Sequence, residues 1–134
     1  MLTKNELKYY SSLLQKKIRK EEEKFIAEGK RLVDEGLKSN FKCEIIFYTK
    51  GFNSNYSEFI QSIKHRSELI TESEFRKVSD TKNPQGIAAV FKMKKLPAFD
   101  LNKSLIIALE DISDPGNLGT ILRSCEWFGA KRIL

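Results

Sequence analysis

The sequence predicts an α/β protein, on three observations. From residue 25 onward, short runs of β-branched and aromatic residues alternate with amphipathic stretches. Such alternation favours a layered sheet with helices on its faces, because parallel neighbours need crossover connections. Hydrophobic residues make up 40% of the 134, enough for a packed core rather than a disordered chain. After a charged, proline-containing stretch the strand-then-helix pattern restarts near residue 105, which predicts a second unit.

The elements follow in order. Thr3 and Glu6 have capping-box spacing, which predicts a helix over 3–20. Its apolar stripe is Leu7, Tyr10, Leu14 and Ile18, with Leu13 beside them, and the charged run 16–24 reads as a solvated helix face. Residues 25–27 predict a strand and 29–38 a helix on which Leu32, Val33 and Leu37 share a face. A strand over 43–49 leads into a turn at 51–55 and a helix from 56 to about 64. A short strand at 68–71, a short helix at 72–78 and a buried strand at 86–91 close the first unit. KMKKLPAFD, residues 92–100, has no periodic pattern. The division is therefore 1–95 as a first domain, 96–103 as a linker and 104–134 as the incomplete start of a second domain. In that second unit 105–109 is a buried-type strand, 110–117 a loop, and the helix after it carries Leu118, Ile121, Leu122, Cys125 and Phe128 on one side. Gly129 ends the helix and 132–134 opens another strand. One β-α-β beginning cannot bury both faces of its sheet, so this unit reads as cut short.

Composition narrows the function. There are 24 Lys and Arg against 18 Asp and Glu, a net charge of +6, concentrated before residue 105. That balance suits a phosphate-binding surface. No apolar run approaches the roughly 18 residues of a membrane span and the start lacks a secretory h-region, so a cytoplasmic protein is expected. Cys43 and Cys125 are the two cysteines, too few and too far apart for a disulfide framework or a zinc site, and no metal site is predicted. His65, between Lys64 and Arg66, reads as a helix-end charge.

The loop holding Asp114, Pro115, Gly116, Asn117 and Gly119 joins a strand to a helix, where open α/β sheets bind ligands. Asn117 is suited to cap that helix, while Arg123 lies opposite the apolar stripe with Thr120 and Trp127 on its own side. An exposed Trp127 points to a partner subunit. The glycine pattern is neither a P-loop nor a dinucleotide fingerprint.

The stretch ALEDISDPGNLGTILRSCEWFGA, residues 108–130, resembles the first motif of the SpoU (TrmH) family of RNA ribose 2′-O-methyltransferases, within the SPOUT superfamily. FIAEGKRLV at 25–33 and DTKNPQGIAAV at 80–90 resemble the RNA-substrate-binding domain that many members carry. That resemblance implies a ribosomal-protein-like α/β/α sandwich over 1–95, followed by the truncated start of a knotted SPOUT α/β domain. It implies RNA, ribosomal or transfer, as partner, S-adenosylmethionine as the methyl donor, and a homodimer once the catalytic domain is complete. Arg123 and Asn117 match the motif's polar residues: Arg123 would face the attacking ribose 2′-hydroxyl and Asn117 would hold Arg123 or the loop. Glu110 matches a position commonly acidic or polar. The family's two further motifs, which build the cofactor pocket, have no counterpart among these 134 residues, so no cofactor-binding residue is assigned. The chain is expected to bind RNA without transferring methyl groups; the alternative is a stand-alone, non-catalytic RNA-binding protein. The RNA-contact candidates are Lys30, Arg31, Lys82, Asn83 and Gln85, basic or amide groups near predicted loops, each of which also reads as an ordinary surface residue.

Overall fold

The structure, a computed structural model, describes residues 2–95, 105–130 and 132–133. It divides into two compact units, Met1–Lys95 and Leu96–Leu134. The linker expected over 96–103 lies outside the described residues.

The first unit runs α1 (Lys4–Ser12), α2 (Lys16–Glu22), β1 (Lys24–Glu28), α3 (Lys30–Lys38), β2 (Cys43–Tyr48), α4 (Lys50–Asn55), α5 (Ser57–Ser62), β3 (Ser67–Leu69), α6 (Glu72–Val78) and β4 (Ile87–Lys92). The sheet order is β1-β4-β2-β3. Only β2 and β3 pair in parallel; β4 runs antiparallel to both β1 and β2. The alternation in sequence therefore gave the layers correctly but not a parallel sheet, because β4 returns through the centre in the opposite sense. Alternate side chains of the central strands feed two cores, as the pleat requires. On one face Ile45, Phe47, Ala88 and Val90 pack with Leu7, Tyr10 and Leu13, and with Phe75 and Val78 of α6. On the other, Ile46, Ile87, Ala89 and Phe91 pack with Val33 of α3 and Phe52 of α4. The result is an α/β/α sandwich.

Two local expectations are corrected. The single helix over 3–20 is broken between Ser12 and Lys16. Arg19 donates from Nη1 to the carbonyls of Leu13 (3.1 Å) and Leu14 (2.6 Å), satisfying the open end of α1 while Leu13 enters the core. The turn expected at 51–55 is helix α4: Thr49 caps it by accepting from the Phe52 amide at 3.3 Å, and Phe52 is anchored in the core. On α3, Val33 is fully buried but Leu32 is 54% exposed, so the shared face is narrower than the spacing suggests.

The charged run 16–24 is also not uniformly a solvated face. Lys24 opens β1, and its ammonium meets Glu44 Oε2 at 2.8 Å and Tyr9 Oη at 2.9 Å. Tyr9 donates in turn to Glu22 at 2.6 Å, and Tyr10 to Glu44 at 3.2 Å. Burial works against the charged ammonium, but the hydrogen bonds to Glu44 and Tyr9 outweigh it and hold Lys24 above its ordinary value. Burial, then Glu44, pushes Tyr10 up to about 12. This network clamps α1 and α2 to the sheet.

The second unit contains β5 (Ile106–Ile107), α7 (Pro115–Trp127) and β6 (Arg132–Ile133), with β5 and β6 paired in parallel. The helix ends in a Schellman motif: Ala130 N donates to Cys125 O at 2.8 Å and Gly129 N to Glu126 O at 3.1 Å, with Gly129 at φ +72°. Cys125 and Ala130 are buried, whereas Leu105, Leu118, Leu122 and Phe128 are exposed. The expected strand at 105–109 is thus shorter and less buried than its apolar run implies, and the expected buried stripe of α7 is mostly open.

Candidate nucleic-acid interface

One end of the first unit's sheet gathers the carboxyl ends of β1 and β2 with the amino end of β4, and three loops there are tied to one another. Gly29, at φ +93°, turns the chain sharply from β1 into α3, and its amide donates to Ile87 O at 2.9 Å. Having no side chain, Gly29 cannot cap α3. Gln85 does so across the loop, its Oε1 accepting from the Lys30 amide at 3.1 Å. The Thr49 amide donates to Gly86 O at 2.9 Å. A Cβ on Gly86, itself at φ +78°, would stand 2.5 Å from Thr49 Oγ1. Ser79 and Thr81 donate their hydroxyls to Glu28 Oε1 at 2.7 and 2.6 Å. The segment leading into β4 is thereby pinned at both ends.

Each expected RNA-contact residue has a definite place. Gln85 and Lys30 are brought together, but through the cap, so the Gln85 carbonyl is already engaged. Lys82 and Asn83 stand exposed on the pinned loop. Arg31, next along α3, pairs with Glu35 at 2.9 Å on an open surface. Sequence reasoning missed three neighbours of Lys30: Asn55, Tyr56 and Phe59. The Lys30 Nζ lies 4.9 Å from the Phe59 ring centroid and 5.6 Å from that of Tyr56. The aromatic spacing was visible in the sequence, but nothing local linked it to residue 30.

In the second unit the helix cap is Asp114, not Asn117. The Asp114 carboxylate accepts from Gly116 N at 2.9 Å, with Pro115 in the first turn. Asn117 lies inside the first turn of α7, exposed. Arg123 Nη2 donates to Thr120 Oγ1 at 3.2 Å, and its guanidinium lies alongside Gly119. Asn117 and Arg123 are six positions apart, about 120° around the helix, and the hydrogen-bond partner of Arg123 here is Thr120. Glu110 is exposed ahead of the helix. Trp127 is 86% exposed.

Residues 4–89 match the family model of the MRM3-like substrate binding domain. The chain is 33% identical over 130 residues to the 23S rRNA (guanosine(2553)-2′-O)-methyltransferase RlmP of Bacillus subtilis, covering 96% of this chain and 50% of that protein. It is 31% identical over 127 residues to human mitochondrial rRNA methyltransferase 3, covering 87% of this chain and 29% of that one. The chain thus spans half or less of the length of these relatives. Among solved structures, a protein assigned to the TrmH family of RNA methyltransferases from Porphyromonas gingivalis superposes with a TM-score of 0.74 at 30% identity, covering 99% of this chain and 51% of that one. The AdoMet-bound rRNA methyltransferase of Sinorhizobium meliloti gives 0.68 at 28%, again over 99% and 51%. Family model, relatives and fold agree, and the chain belongs, through an MRM3-like substrate-binding domain, to the SpoU/TrmH family of RNA ribose 2′-O-methyltransferases.

Proposed function

We propose that these residues are the RNA-binding part and the first catalytic motif of an rRNA ribose 2′-O-methyltransferase that uses S-adenosylmethionine. The observation that carries the RNA reading is the pinned sheet end, which holds Lys30, Lys82 and Asn83 on one rim. Lysines there neutralise phosphates, while amides reach sugar and phosphate oxygens. Arg123 stands on the outer face of α7 and serves as the electrostatic partner of the ribose 2′-oxygen. A guanidinium with a pKa above about 12 does not act as a base. Its role is to stabilise the developing alkoxide while a phosphate or water takes the proton.

S-adenosylmethionine, when bound, supplies an electrophilic methyl group. Among the described residues of the second unit, β5 and β6 are two residues each, and Leu118 and Leu122 are exposed. The 134-residue chain is expected to bind RNA without transferring methyl groups. The exposed Trp127 supports self-association through the second unit. Sedimentation over a concentration series tests this, and Trp127→Ala should weaken any dimer seen.

The main test is RNA affinity of the purified chain as a function of salt. Affinity should fall steeply with salt, and Lys30→Ala and Lys82→Ala should each lower the logarithmic slope by about 1. A salt-independent affinity would overturn the RNA reading, and turnover with S-adenosylmethionine would overturn the expected inactivity.

A further inference from the structure

Beside the pinned loops, Lys30, Asn55, Tyr56, Ser57, Glu58 and Phe59 line an open cleft of about 560 Å³. Its cation is held by rings rather than by a carboxylate. Lys24 pairs with Glu44, Arg31 with Glu35 and Lys38 with Asp34, whereas Lys30 has no carboxylate partner among the described residues. Its ammonium is instead held near two rings. Tyr56 sits at the junction of α4 and α5, at φ −136° and ψ 41°, and serves as the C-cap of one and the N-cap of the other. That junction leaves the side chain 44% exposed. Its ring is backed by buried Phe52, with centroids 4.8 Å apart and planes tilted by 31°. An exposed ring braced from within, beside an unpaired ammonium, has the chemistry of a single-stranded nucleotide site, with a π-face for the base and a cation for the phosphate.

We propose that this cleft receives one unpaired nucleotide of the RNA, its base against Tyr56 and its phosphate on Lys30. Glu58 also lines the cleft, which assigns the phosphate to the Lys30 side. Asn55 and Ser57 offer polar groups for the base edge or the ribose. The substrate is thereby narrowed to RNA with an unstacked base at the contact, such as a loop or bulge, rather than a continuous duplex. This rests on the RNA-binding reading above.

The test uses the full chain and a single-stranded RNA oligonucleotide carrying 2-aminopurine, with a blunt duplex of equal length as comparison. The chain should bind the single strand more tightly than the duplex and quench the 2-aminopurine. Tyr56→Ala should lose about tenfold in single-strand affinity with an unchanged salt slope, while Tyr56→Phe should retain both affinity and quenching. Tyr56→Leu, which preserves bulk over Phe52, should behave as the alanine variant, separating loss of stacking from loss of folding. If Tyr56→Leu, with an unaltered circular dichroism spectrum, binds and quenches like the wild type, the cleft is not the nucleotide site although the RNA reading stands. Equal affinity for duplex and single strand has the same consequence. No binding of either RNA by the wild type would overturn the RNA reading itself.

Discussion

The two units obey the same sequence grammar and differ in what it produces. In the first, alternating and helical apolar positions meet: Phe47, Phe75, Phe91, Ile45, Ile46 and Val33 are all fully buried, divided between two faces of one sheet. In the second, an equally clear stripe on α7 leaves Leu118, Leu122 and Phe128 exposed, with Cys125 as its buried residue. Periodicity specifies the element and its apolar face; burial depends on whether another element supplies the opposing surface.

The contrast can be broken most decisively by truncation. Phe47→Ala should cost about 3–5 kcal/mol in urea unfolding, whereas Phe128→Ala, 83% exposed, should stay within about 0.5 kcal/mol. Comparable losses would mean that the second unit is packed against something under the conditions of measurement. Next come the close approaches of the first unit. A Cβ on Gly36 would meet the Phe91 ring at 2.4 Å, so Gly36→Ala should destabilise by about 1–3 kcal/mol. Gly86→Ala adds a positive φ to its contact with Thr49 and should cost at least as much.

Acid offers a gentler probe. The Thr3 amide, then Arg66 and the Thr3 hydroxyl, lower Glu6 from 4.5 to about 2. A carboxylate depressed on folding contributes stability that is fully present above its unfolded value and is lost as pH falls through the folded one. Stability should therefore decline between about pH 4.5 and 2, and Glu6→Gln should flatten part of that decline in acid titrations followed by circular dichroism. The smallest effect belongs to Arg31. Its pair with Glu35 is 89% exposed on the arginine side, and Arg31→Ala should leave the urea unfolding midpoint essentially unchanged. The sole tryptophan, Trp127, lies in the second unit and is 86% exposed, so at concentrations where the protein is monomeric it should emit at a solvent-like wavelength.

What was legible in the sequence was local or strongly periodic. The capping box of Thr3 and Glu6 is present with both of its hydrogen bonds. A second, Thr71 with Glu74 at the start of α6, has the same spacing and the same pair of hydrogen bonds. The break after α1 was hidden because Arg19 satisfies carbonyls five and six residues back, a contact invisible to helical spacing. Helix α4 was hidden because Gly51, Asn53, Ser54 and Asn55 have turn-like propensities that Phe52, buried in the core, overrides. Strand direction is decided by partners distant in sequence, so the antiparallel return of β4 had no local mark. At the candidate site, the basic and amide residues near loops could be named individually. The capping role of Gln85 and the company of Tyr56 and Phe59 around Lys30 arise only when three loops meet.

The mutual tethering of Glu28, Thr49, Gln85 and Gly86 bears on how a ligand would be met. A rim fixed by its own hydrogen bonds has little conformational entropy left to lose on contact, unlike a tail that folds as it binds. Calorimetry of complex formation should accordingly give a heat-capacity change no larger than the covered apolar surface requires.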